Sequence, residues 1–150
     1  MEYKGDGTEN WSNLGVNCKI ERIQLMALLE TKSEIEPVEK VWKSAGFDNM
    51  IYSPACGLSG GICVLWKSYQ LISESISVYQ KEDRFICILY EDNNSKRRLF
   101  IIFVYAPPNQ QQKQAFWDKL QNFISTLDLP FMIVGDLNEI EKSSEKGEVQ

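Results

Sequence analysis

The chain contains no histidine. A serine or cysteine triad with imidazole as its base is therefore excluded, as is any metal set completed by a histidine nitrogen. The four cysteines, Cys18, Cys56, Cys63 and Cys87, include no C-x-x-C pair, so a zinc site has no support. Cys63 and Cys87 stand inside apolar runs and read as small buried hydrophobes. No apolar run approaches the roughly 18 residues of a membrane span. The opening Met1-Glu2-Tyr3-Lys4-Gly5-Asp6 is too polar for a secretory signal. These absences predict an intracellular protein with reduced thiols. The sequons Asn10-Trp11-Ser12 and Asn93-Asn94-Ser95 then read as chance matches. A surplus of positive charge is also missing: 16 basic residues face 21 acidic ones, for a net charge of −5. That opposes strong non-specific binding to nucleic acid. It does not exclude a phosphodiesterase, because a bound divalent ion changes the local sign.

What is present fits one soluble domain. A chain of 150 residues can bury a substantial core. Hydrophobic content of 43% and charged content of 25% are ordinary for a globular protein. Residues 1–17 are polar and aperiodic, and are expected to be poorly ordered. Over 18–24 periodicity does not separate helix from strand, whereas Leu25–Leu29 suits a buried strand. Ser33-Glu34-Ile35-Glu36 is a capping box. Val38, Val41, Trp42 and Ala45 follow at helical spacing, and Gly46 stops the helix. Strands are expected at 50–53, at 62–66, around Ile72, Ile76 and Val78, at 85–90 and at 99–105. A Gly/Ser turn is expected at 56–61. The polar segment 91–98 predicts a hairpin with a long tip. Asn109 can cap a helix whose apolar face is Phe116, Leu120, Phe123, Ile124 and Leu127. A last buried strand, Phe131-Met132-Ile133-Val134, follows Pro130. Helices covering sheet faces give an α/β (α+β) class.

That last strand delivers Gly135-Asp136-Leu137-Asn138. Residues i and i+2 of an extended segment point the same way, so Asp136 and Asn138 are expected to face one site. An acid beside an amide suits a hard cation, or a water held against a phosphate; the same residues also make good turn chemistry. Glu30 closes the Leu25–Leu29 run, either as a rim carboxylate or as a solvated strand end. Tyr105 ends its strand before two prolines, either reaching a phosphate oxygen or resting with its hydroxyl at the surface. Ser59-Gly60-Gly61 lacks the P-loop pattern and reads as a tight turn. Trp66 and Trp117 read as core or core-edge residues rather than base-stacking platforms. Lys96-Arg97-Arg98 reads as a solvated hairpin tip.

The order of these pieces carries more than any one of them. Glu30-Thr31-Lys32 precedes Ser59-Gly60-Gly61-Ile62-Cys63-Val64-Leu65-Trp66. Val104-Tyr105-Ala106-Pro107 comes next, then Phe116-Trp117-Asp118-Lys119-Leu120, Val134-Gly135-Asp136-Leu137-Asn138 and Ser144-Glu145-Lys146. From about Leu25 to Lys146 the chain resembles the endonuclease/exonuclease/phosphatase superfamily. Within it, the motifs look like those of the endonuclease domain of plant LINE-type (non-LTR) retrotransposons. The resemblance implies a four-layer αββα sandwich whose members hydrolyse phosphoesters, DNA phosphodiesters among them, with Mg²⁺ or Mn²⁺. It implies that Glu30 is a metal ligand and that Tyr105 lies beside the scissile phosphate. Asp136 would orient or deprotonate the attacking water, and Asn138 would hold the phosphate.

Two departures shape the expectation. The family's first-strand Trp-Asn pair appears here as Trp11-Ser12-Asn13, one residue out of register and too close to Glu30 for a strand and helix between. That role is not carried onto Asn13. The family's late Ser-Asp-His motif has no counterpart, and acid–base groups of that kind contribute on the order of 10²–10⁴ in rate. The expectation is an incomplete sandwich, with 18–150 a partial domain of weak or no activity and an exposed sheet edge. The alternative is a non-catalytic interaction remnant that pairs through that edge, with itself or with a fragment supplying the missing strands. A third reading, an unrelated α+β domain with chance motifs, requires Glu30, Tyr105, Asp136 and Asn138 not to converge.

Overall fold

The computed structural model describes residues 23–31, 42–56 and 59–138. The expectations for 1–17 and 18–22, the capping box at 33–36 and the Ser144-Glu145-Lys146 motif lie outside the described residues. Among the described residues there are seven strands and one long helix: β1 (Leu25–Leu29), β2 (Asn49–Cys56), β3 (Ser59–Trp66), β4 (Glu74–Lys81), β5 (Phe85–Asp92), β6 (Arg97–Tyr105), α1 (Gln110–Ile124) and β7 (Phe131–Asp136). Three strands form one sheet in the order β1-β3-β2, and four form another in the order β4-β5-β6-β7. All pairings are antiparallel except β6 with β7.

Side chains alternate across a strand, and here each face meets a different layer. Ile62, Val64 and Trp66 of β3 pack toward Ile86, Ile88, Phe103 and Tyr105 of the second sheet. The opposite parity of β3, Cys63 and Leu65, packs with Ala45 and Phe47. The opposite parity of the second sheet, Phe85, Cys87, Phe100, Ile102 and Val104, packs under Phe116 and Leu120 of α1. Residues 42–44 are helical, and Gly46 takes φ +87° just beyond them, as a helix-stopping glycine should. The layers are therefore helix, sheet, sheet, helix. This is the expected αββα sandwich, incomplete where β7 has, among the described residues, a strand neighbour on one side.

Several local expectations change. β7 is not buried: Phe131, Met132, Ile133 and Val134 are 39–49% exposed. The run is apolar enough for a core strand, but among the described residues only β6 lies beside it. The 56–61 turn is shorter than expected. β2 runs on to Cys56 and β3 starts at Ser59, with Gly60 paired to Ala55, so Cys56, Ser59, Gly60 and Gly61 of the expected turn are strand. The 91–98 tip is shorter too, because Glu91 pairs with Arg98 and Asp92 with Arg97 in the ladder. A 2.7 Å contact from Arg98 Nε to Glu91 Oε1 accompanies this pairing. Ile72 lies outside β4, with its side chain in solvent. There the Glu74 carboxylate accepts the backbone N–H groups of Ile72 and Ser73, which holds a bend instead of a strand. A register shift between Val78 and Gln80 then sends Tyr79 onto Phe100, with ring centroids 4.5 Å apart.

Candidate functional site

The helix behind the site starts where the sequence places it. Asn109 Oδ1 accepts the Gln111 N–H at 2.8 Å, satisfying one of the free donors of the first turn. Helix α1 then crosses from β6 to β7, and this crossover is what makes the two strands parallel. Parallel pairing puts the C-terminal ends of β6 and β7 side by side, with Tyr105 in register with Asp136. The backbone seals the corner: Ala106 N–H donates to the Asp136 carbonyl at 2.8 Å.

Asp136 and Asn138 are neighbours, but not as residues of one extended strand. β7 ends at Asp136, and Asn138 has φ +48° in the left-handed region. Asparagine tolerates that region better than most residues. Its backbone N–H donates to Asp136 Oδ1 at 2.9 Å, and its Nδ2 donates to the Ala106 carbonyl at 2.6 Å. The carbonyl of Asn138 accepts a hydrogen bond from Lys113 Nζ. An acid-amide turn thus replaces the i, i+2 geometry, while the two residues stay together. Pro108, Gln110, Lys113 and the Gly135–Asn138 segment line an open groove here. Glu30 and Tyr105 are not among its walls.

Glu30 reaches the same end of the molecule from the other sheet. It follows β1 directly, is exposed, and has φ +55°. The next residue, Thr31, donates its N–H to the Gly61 carbonyl at 3.4 Å. Gly60 and Gly61 bring the start of β3 between the sheets. A Cβ on Gly61 would stand 2.3 Å from Thr31 Oγ1, and one on Gly60 would stand 3.8 Å from Tyr105 Cδ1. Thr31, Gly61, Gly60, Tyr105 and Asp136 therefore form a continuous chain of neighbours. All four candidate residues lie at one end of the packed sheets. Tyr105 is buried, contrary to the reading of a surface hydroxyl, and the Arg84 guanidinium carbon lies 5.6 Å from its ring centroid.

The donor chemistry is all oxygen. Among the described residues no group of three or more His, Cys, Asp or Glu comes together. Glu30 and Asp136 cannot make a closed protein cage. Carboxylate oxygen is the donor type that suits a hard cation, which is commonly held by one or two carboxylates together with waters and substrate phosphate.

Two cations escaped the sequence reading. Lys113 is only 8% exposed and lies three residues before Phe116 and seven before Leu120, so it occupies the apolar stripe of α1. A lysine on the core face was the available signal. Arg84, in the short link between β4 and β5, carried none. Its backbone carbonyl accepts the Tyr105 N–H at 3.0 Å. Its guanidinium would stand 3.4 Å from a Cβ on Gly60.

No protein-family model and no curated protein matches the sequence. Solved structures do match in fold. Zebrafish (D. rerio) TDP2 complexed with a single-strand DNA product is 14% identical, with a TM-score of 0.59, over 93% of this chain and 57% of that one. Truncated Caenorhabditis elegans TDP2 is 14% identical, with a TM-score of 0.54, over 90% and 58%. ANGEL2, a 2',3'-cyclic phosphatase in complex with adenosine-2',3'-vanadate, is 14% identical, with a TM-score of 0.57, over 87% and 44%. The chain thus spans about half the length of the structures it resembles. These are endonuclease/exonuclease/phosphatase-fold proteins, and the sandwich described above is that fold.

Proposed function

We propose, with that fold as premise, that the chain is a partial phosphodiesterase domain whose parent activity is metal-dependent hydrolysis of DNA phosphodiesters. We further read its origin as an endonuclease of the plant LINE type, on the motif order alone. The observation that carries the activity class is the shared lip. Asp136 stands beside Tyr105 and is hydrogen-bonded by Asn138, at the end where Glu30 leaves the other sheet. The DNA product held by zebrafish TDP2 favours a nucleic-acid phosphoester over other phosphoesters.

In this reading Glu30 is the carboxylate that would hold Mg²⁺ or Mn²⁺, whose charge supports a phosphoryl oxygen as negative charge builds there. Asp136 has one carboxylate oxygen engaged by Asn138 N–H, and its other oxygen is placed to accept a proton from an attacking water. The Asn138 amide has a second hydrogen beyond the one given to Ala106, available to a phosphate oxygen. Tyr105 orients from the buried side of the lip. These 150 residues hold no histidine to serve as the family's acid–base partner, so the activity expected of them alone is weak or nil.

Plasmid nicking with Mg²⁺ tests this. Weak nicking that disappears in Asp136→Ala and Glu30→Gln agrees with the reading. Nicking that survives both substitutions overturns the residue assignment, and nicking at the level of an intact domain overturns the expected weakness.

A second reading is favoured by β7. Among the described residues its far edge has no strand beside it, and that edge with its half-exposed apolar side chains suits pairing with another strand. The partner would be a second copy or a fragment completing the sandwich. Light scattering on the eluting protein decides: a monodisperse monomer at all concentrations rejects self-pairing.

A further inference from the structure

We propose that Lys113 is a positioning residue that clamps the turn after β7, so that the Asp136 carboxylate and the Asn138 amide keep one orientation toward the groove. The chemistry of this inference rests on the phosphodiesterase reading; its geometry does not.

An ammonium group taken out of water must be hydrogen-bonded or it destabilises the fold. Lys113 is more than nine-tenths buried on the core stripe of α1, beside Phe116 and Leu120. Its Nζ donates to the Asn138 carbonyl. The buried ammonium is thereby brought to the turn. Asn138 needs such support. It holds a left-handed backbone conformation, and three of its groups are engaged at once: N–H to Asp136 Oδ1, Nδ2 to the Ala106 carbonyl, and its own carbonyl to Lys113. The first two bonds tie the turn to β6 and β7. Lys113 alone of these partners ties it to α1. The same lysine lines the groove with Gly135, Asp136 and Leu137. Loss of the ammonium would free the carbonyl and let the residue relax out of the left-handed region. The amide and carboxylate would then lose their common orientation.

The test begins on the native chain, by NMR. A scalar coupling across the hydrogen bond from Lys113 ¹⁵Nζ to the Asn138 carbonyl carbon is expected, and its absence overturns the clamp. This reading needs no variant, so it stands even where a substitution prevents folding. Lys113→Met keeps the apolar stem and removes the charge. Amide exchange at Asn138 should then speed up by about tenfold, the scale of a lost charged hydrogen bond. Exchange at Ile88, in the middle of β5, should stay unchanged. Lys113→Arg should restore the Asn138 value. Equal acceleration at Asn138 and Ile88, or none at Asn138, overturns the proposal. Fluorescence anisotropy with a short single-stranded DNA and Mg²⁺ separates the two claims. Weaker binding in Lys113→Met with recovery in Lys113→Arg supports the oriented turn. Failure of the native chain to bind at all sinks the phosphodiesterase reading, while the clamp is still decided by the coupling and the exchange rates.

Discussion

Gly135 and Val104 approach so closely across the parallel pair that a Cβ on Gly135 would lie 2.0 Å from the Val104 carbonyl oxygen. Gly135 also has φ +146°, which side-chain-bearing residues rarely adopt. Gly135→Ala should therefore cost about 3 kcal/mol or more, since backbone strain and a backbone clash add. Gly60 also has positive φ, at +99°, but its nearest neighbour is the flexible end of Arg84 at 3.4 Å. Gly60→Ala should cost less. Urea unfolding midpoints of the two variants rank them, and an equal loss would refute the close approach.

Lys119 Nζ and Glu82 Oε2 are 2.6 Å apart, joining α1 to the link before β5. The Lys119 hydrogen bond is the main cause holding the Glu82 carboxyl below its ordinary value of 4.5, with Gln80 adding to it. A depressed acid stabilises the fold above its unfolded pKa, and the gain is lost as pH falls through the folded value. Lys119 is raised above 10.5 by the same bond, so its share persists at neutral pH and fades only in strong alkali. Both side chains are partly solvated, which limits the pair to about 0.5 kcal/mol. Lys119→Met should lower stability by that amount at pH 7 and make no difference well below pH 4.5. A loss equally large in acid would refute the coupling.

Burial pushes the Cys63 and Cys87 thiols up to about 12. The thiolate is the reactive form. Neither residue should be alkylated by iodoacetamide at pH 8 in the folded protein, and both should be modified once the chain is unfolded. Peptide mapping by mass spectrometry reads this residue by residue. Rapid labelling of either in native buffer would contradict the packing around β3 or β5.

The open face of β7 predicts concentration-dependent association. Val134 is 44% exposed, and a charge there blunts edge pairing. Val134→Lys should shift sedimentation toward monomer while changing stability by no more than about 0.5 kcal/mol, as for other surface positions. Association that is unaffected by this substitution would place the contact elsewhere.

Much of this architecture was legible from pattern. The cap at Asn109 and the stripe Phe116, Leu120, Phe123 follow from local rules that act within one helix. The strand ends that carry Glu30, Tyr105 and Asp136 follow from apolar runs broken by polar residues. What pattern did not reveal depends on neighbours distant in sequence. An apolar run such as Phe131–Val134 does not declare whether a second strand will cover it. Gly60 and Gly61 look like a turn until Ala55 is seen opposite. The left-handed Asn138 was hidden because its conformation is held by Ala106, Asp136 and Lys113 together. Lys113 carries a charge that ordinarily points to solvent, and only its place on the stripe speaks against that.

The parallel pairing of β6 with β7 gives the two halves of the lip unequal origins. Tyr105, Asp136 and Asn138 belong to one strand-helix-strand segment and can be brought together by contacts made inside it. Glu30 belongs to the other sheet and meets them across the seam between the two sheets. Loosening that seam would part Glu30 from the other three while leaving their mutual arrangement whole.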